Sequence, residues 1–184
     1  MSHLGTRNLL REWAPLPLRL IVGFGFVAHG YAKLSRGPEH FAVILAALKV
    51  PQSHFMAWAT SFLELAGGIS VMAGAFVVLV SLPLMVTMLT ALFSVHLQYG
   101  FSSVRLIAVT ASGAQFGPVG YELNLLYIVA LLTLAMIGPG KLSFDEWLAK
   151  RRSKSLSQRA AAGPLIHSQS AHRVDRGRAQ CRQQ

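Results

Sequence analysis

The chain has 184 residues, 53% of them hydrophobic and only 13% charged, with a formal net charge of +10. That balance excludes an ordinary soluble globular domain and a disordered chain, and it reads as an integral membrane protein. Ten of the seventeen Lys and Arg residues follow Pro139 in a segment without aromatic interleaving, so the charge points to a tail beside anionic lipid and away from nucleic acid.

Residues 1–15 form a polar, basic N-terminal segment expected in the cytoplasm, with Trp13 where an interfacial aromatic would sit. Pro15 and Pro17 mark a helix start, and the first span is predicted over residues 16–34. On it Arg19, Gly23, Phe26, Gly30 and Lys33 share one stripe, with His29 one turn from Lys33. Arg19 is expected to snorkel to inner-leaflet phosphate. Arg7 and Arg11 before an apolar run also suit a cleavable signal, but Arg19 inside that run favours a retained span as the expectation. The Ser35-Arg36-Gly37-Pro38 segment ends the helix, and the apolar residues 41–48 are too few to cross, so they read as an interfacial helix. Residues 55–97 are almost continuously apolar, which predicts two spans, 55–75 and 78–97, joined by a tight turn near Gly74. Residues 100–120 are expected as a loop with a single helical turn. The fourth span is predicted over 121–137, stopped by Gly138-Pro139-Gly140. Ser143, with Glu146 three residues on, is expected to cap a short interfacial helix, and residues 148–184 to form a basic, disordered cytoplasmic tail.

Glu64 is the polar centre. It lies about 14 Å along an apolar helix, at a depth where an ionised group is costly and must face protein. Gly67, Gly68 and Gly74 follow it, and Gly23 and Gly30 lie on the first span; these glycines are the expected helix-packing positions, since small residues let backbones approach closely. The Lys and Arg distribution places both termini in the cytoplasm with four spans. On that topology Glu64, His29, Lys33, His96, Glu122 and Asn124 all fall in the outer half of the membrane and form the candidate polar pocket. Glu64 reads as a proton-relay acid, a ligand for a cationic or hydroxylated substrate, or the buried partner of Lys33. His29 and His96 read as haem ligands, as a quinone contact, or as hydrogen-bond partners of loop backbone and Glu122. A carboxylate at the start of a helix, as at Glu122, is favoured by the dipole whatever the function. Cys181 is the single cysteine, which argues against a disulfide, Cys-x-x-Cys redox chemistry and cysteine-ligated metal. With no carboxylate-rich di-metal motif either, no metal site is expected and no residue is assigned as catalytic.

Three motifs carry a resemblance: Gly30-x-x-Lys33-Leu34 closing the first span, Glu64-Leu65-Ala66-Gly67-Gly68 in the second, and Gly138-Pro139-Gly140-x-x-Ser143-x-Asp145 after the fourth. Together they resemble the DoxX family over roughly residues 16–147. The resemblance implies an all-α, multi-pass four-helix protein of the bacterial inner membrane. Some members of the broader group are small subunits of thiosulfate- or quinol-oxidising complexes, or membrane partners in oxidative-stress complexes. The expected role is therefore an accessory subunit of a quinone-linked redox system rather than a stand-alone enzyme, with quinone ahead of haem as cofactor. Its expected partners are the bilayer and other redox subunits or further copies of the chain. A small proton-coupled carrier and a membrane scaffold without chemistry are the alternatives.

Overall fold

The computed structural model describes residues 12–158. The expectations for residues 1–11 and for most of the basic tail, 159–184, fall outside the described residues. Helix dominates. The first helix, α1 (Pro15–Arg36), has proline in its first turn, where a missing N–H costs nothing, and ends at Gly37, whose φ of +87° breaks the helical path. A short α2 (Pro38–Ala47) follows, then α3 (Ser53–Ala73). Gly74 closes α3 in the left-handed region at φ +69°, with Ala75 N donating to Ser70 O and Gly74 N to Val71 O, the paired bonds of a Schellman cap. Helix α4 (Val77–Ala91) restarts after two residues, continues through a π-helical turn (Leu92–His96) and ends in a 3₁₀ turn (Leu97–Tyr99). Pro83 lies inside α4, where its missing N–H leaves the Leu79 carbonyl without its helical partner, and one turn on the Thr87 hydroxyl donates to Pro83 O. Helix α5 (Glu122–Ile137) ends at Gly138.

Two of these helices are long and apolar enough to cross a bilayer, Ser53–Ala73 at a mean hydropathy of 1.3 and Val77–Tyr99 at 2.2. Their outward faces carry large hydrophobics such as Phe62, Ile69, Leu79 and Val86, left bare by the protein itself. Apolar faces of that extent mark a contact with lipid or with another protein.

Residues 100–120 depart from the expected loop with one helical turn. They form an antiparallel hairpin, β1 (Leu106–Thr110) and β2 (Gly113–Phe116), with a bulge between Leu106 and Ala108. The β-branched Ile107, Val109 and Thr110 favour strand, and Gly113, at φ +122°, takes a backbone conformation closed to most side chains. The strand signal is short, which is why the turn residues dominated the sequence reading.

The glycines set the packing of α1 on α3. A Cβ at Gly68 would stand 2.6 Å from Gly23 O and 2.7 Å from Val27 N, and one at Gly30 would stand 2.5 Å from Leu65 N. Neither clash is with a movable side-chain tip, so the two backbones touch and cannot give. Gly67 looks the other way, toward Leu84 and Val80 of α4. Around these contacts Val22, Phe26, Val71, Val77, Leu84, Leu131 and Leu134 form the core shared by α1, α3, α4 and α5, while Ala42, Leu45 and Ala57 fasten α2 to α3. Gly68→Val is accordingly expected to cost about 3 kcal/mol or more from forced separation of α1 and α3. The check is the apparent Tm in mild detergent, which should fall by about 6–12 °C at that cost for a chain of this size.

Residues 146–158 belong to a second compact unit. They are helical, so 148–158 depart from the disorder expected of them. Within this unit Lys150 pairs with Glu146 one turn earlier, and the Arg151 guanidinium lies 3.9 Å over the Trp147 ring.

Candidate functional site

Because Gly30 lets α1 settle onto α3, the last turns of α1 face the middle of α3. There the Lys33 ammonium donates to Glu64 Oε1 at 2.6 Å. The pair is lopsided: the Glu64 side chain is 2% exposed and that of Lys33 23% exposed. The second carboxylate oxygen, Oε2, is buried without a hydrogen-bond partner among the described residues. Lys33 also lies 4.4 Å over the ring of Phe41, so its charge is shared between a carboxylate and an aromatic face.

The Gly37-Pro38 corner folds α2 back beside the end of α1 and opens a cleft of about 320 Å³. His29, Ala32, Lys33 and Arg36 line it from α1, and His40, Phe41 and Ile44 from α2. Four nitrogen-bearing side chains thus line the cleft together with one aromatic ring. Three of the wall residues, Arg36, His40 and Phe41, were missed by sequence reasoning. The signal is present, because 29, 33, 36 and 40 repeat at helical spacing, but the helix break at residues 37–38 interrupts the repeat.

Of the six candidate pocket residues, the structure pairs Lys33 with Glu64 and sets His29 on the wall of the same cleft. The other three serve other tasks. His96 Nδ1 lies 3.0 Å from Val119 O and ties the end of α4 to the connection before α5. Glu122 Oε2 accepts from Ser103 N at 3.0 Å, and Asn124, buried in α5, reaches Met88 O on α4 at 3.4 Å. His29 and His96 share neither a cleft nor a hydrogen bond, and no cluster of three or more His, Cys, Asp or Glu side chains occurs among the described residues.

Beside the cleft, Glu39 accepts from Trp58 Nε1 at 3.2 Å and pairs with His54 Nδ1 at 2.5 Å, clamping α2 to α3. The indole hydrogen bond first, and then His54, holds the Glu39 carboxyl below its ordinary 4.5. A depressed folded value means that the clamp contributes above the ordinary carboxylate range and is lost as pH falls through the lowered one. Trp58 emission should therefore change on acidification below 4.5, and Glu39→Gln should remove that change. Measuring the difference between the two proteins cancels Trp13 and Trp147.

A second polar cluster sits at the opposite end of α1, where Arg19 was expected to snorkel to lipid. Instead Arg19 is 1% exposed and donates to Pro139 O at 2.5 Å and Leu142 O at 3.1 Å. Gly74 leaves the space its guanidinium fills. Asp145 completes the cluster, accepting from Phe76 N and Val77 N at the start of α4 while its own N–H donates to Gly74 O. Ser143 is buried, and its hydroxyl donates to Gly140 O. The three glycine- and serine-bearing motifs of the sequence are thus spent on two places: the first two build the Lys33–Glu64 contact, and the third closes over Arg19.

Compared with known proteins, residues 14–97 match the family model described as DoxX. The match takes in the whole cleft and ends before the hairpin, short of the 16–147 expected from the motifs. No curated protein and no solved structure matches the chain.

Proposed function

From the premise that residues 14–97 are a DoxX membrane domain, we propose that the chain is a multi-pass accessory subunit of a membrane redox system and holds a quinone head group in the α1–α2 cleft. The observation that carries this reading is the Lys33 ammonium, fixed by Glu64 and laid over Phe41 inside a cleft walled by His29, Arg36 and His40. A quinone head is a flat ring with two hydrogen-bond acceptors, and it fits a wall of nitrogen donors beside an aromatic ring. Phe41 and Ile44 would flank the ring, and the exposed Val43 and Leu48 of α2 would lead an apolar tail toward lipid. When bound, the quinone supplies the electron-accepting chemistry. Lys33 and the histidines orient its oxygens and hold protons near them, and Glu64 holds Lys33 in place. With four helices arranged as a bundle and both termini in the cytoplasm, the cleft opens at the outer side of the inner membrane. Ten of the seventeen Lys and Arg residues following Pro139 support that orientation.

The test is purification in mild detergent followed by extraction and mass spectrometry of small molecules. Quinone should co-purify with the wild-type protein, and its yield should drop several-fold in His40→Leu, which leaves the ion pair intact. Equal, or absent, quinone in both proteins would remove the reading. A second reading, a proton-coupled carrier, draws on the unpartnered Glu64 Oε2, a buried oxygen open to a proton. Solute uptake by proteoliposomes that survives Glu64→Gln would eliminate it.

A further inference from the structure

The hairpin between α4 and α5 plays no part in the cleft, and its register gives it two unlike faces. Leu106 pairs with Phe116 and Val109 with Ala114, while Ala108 pairs with Gln115 and Thr110 with Gly113. Directly opposed residues of an antiparallel ladder point to the same side, and alternate pairs to opposite sides. One face is therefore Leu106, Val109, Ala114 and Phe116, and the other carries Thr110 and Gln115. On the apolar face Leu106 is 55%, Val109 75% and Phe116 61% exposed, so more than half of each side chain is left uncovered by the described residues. An isolated two-stranded hairpin with a bare apolar face is marginal in water and an invitation to edge-to-edge association.

The base of the hairpin is fixed. Gly120 N, Tyr121 N and Glu122 N donate to Ser102 O, Gly100 O and Phe101 O, and Gly117 N donates to Arg105 O. The strands thus stay near the ends of α4 and α5, beside the exposed apolar surfaces of those helices. Phe93 and Leu97 on α4 and Leu123 and Leu126 on α5 are exposed at this end, and Phe101, Val104 and Val119 continue the apolar surface toward the strands. Phe101 and Tyr121 meet edge to face, as aromatic residues of a membrane boundary do. Across residues 97–121 Arg105 is the one charged residue, and the stretch holds no carboxylate. The unpaired N–H and C=O groups along both strand edges exclude the hydrocarbon interior, because nothing there would satisfy them. They do not exclude the headgroup boundary, where water reaches the edges while apolar side chains enter the acyl region.

We propose that the β1–β2 hairpin lies on the bilayer interface, with Leu106, Val109, Ala114 and Phe116 among acyl chains, Thr110 and Gln115 toward water, and Arg105 at lipid phosphate. Continuity with the lipid-facing helices and the lone positive charge favour lipid over a protein partner.

The experiment uses the full chain with Cys181→Ser, adding Val109→Cys, Ala114→Cys or Gln115→Cys one at a time, each labelled with NBD and reconstituted in phosphatidylethanolamine–phosphatidylglycerol vesicles. Labels at 109 and 114 should be quenched by nitroxide-bearing lipid more than about twofold better than by aqueous iodide, as suits groups buried several ångströms at the boundary, and the label at 115 should show the reverse. The two independent sites on one face guard against a single variant that folds badly. Iodide reaching 109 and 114 as readily as 115 would overturn the proposal, because the hairpin would then stand in water. So would shielding from both quenchers that fades as protein is diluted in lipid, since a second copy would then be the cover.

Discussion

Lys33→Met should cost about 3–5 kcal/mol of stability, and Glu64→Gln clearly less. The asymmetry follows from where each partner sits. Glu64 is 2% exposed with Oε2 already lacking a partner, so removing the ammonium strands a carboxylate in a place where it cannot be solvated. Removing the carboxylate leaves Lys33 at the cleft, 23% exposed and still over Phe41, with a route to water along its own chain. The double variant Lys33→Met/Glu64→Gln should therefore recover much of the loss, because a neutral amide replaces the stranded charge. Thermal unfolding in detergent across the four proteins of this cycle measures the coupling. Equal losses in the two single variants, with additivity in the double, would show that the pair is not what holds the site. Stability and ligand yield must be read side by side, since the His40→Leu variant perturbs the cleft wall without touching the pair.

Arg19→Met should be comparably damaging, at about 3–5 kcal/mol, although Arg19 has no place in the cleft. It strips two carbonyls, Pro139 O and Leu142 O, of their donors and removes the positive charge facing Asp145. Arg19→Lys should recover only part of this, because an ammonium on a single stem does not span two carbonyls as the guanidinium fork does. The check is limited proteolysis together with the Tm: cleavage should appear in the 74–76 turn and around residues 138–143, the two segments that Arg19 and Asp145 tie together. If cleavage in the variant appeared only in the 100–120 connection, the cluster would not be what secures that end.

The helices were legible in the sequence where one residue type decided the matter. Gly74 and Gly138 stop helices because they take positive φ, and Pro15 starts one because its missing N–H falls where none is needed; the start at Pro38, three residues before the expected 41, was not read. Glu64 was legible as the polar centre because a lone carboxylate in an apolar helix has few places to go. The convergence of six polar residues was not. The expected four-span topology would put His96, Glu122 and Asn124 at one level with Lys33, but depth says nothing of azimuth around each helix, and these three turn toward loop backbone and the α4–α5 seam. Arg19 was misplaced for a related reason. A basic residue near a helix start ordinarily reaches lipid phosphate, and only carbonyls supplied some 120 residues later redirect it inward. The hairpin escaped because its strand signal is carried by a handful of β-branched residues among glycines and serines.

The π-helical turn at Leu92–His96 acts as a phase shifter. A turn of this kind holds one residue more than an α-turn, so everything after it is rotated by about 100° relative to an uninterrupted α-helix. Leu92 stays in the core on one side of the shift, while on the other His96 comes round to the Val119 carbonyl. Deleting a single residue within 93–95 would restore a regular helix without removing any hydrophobic span. It would swing His96 away from Val119, and with it the direction in which the chain leaves α4. Strand placement beyond residue 100 is thus set by an extra residue ten positions upstream, and a library of one-residue deletions through α4 would find it as the place where helix content survives and the downstream geometry does not.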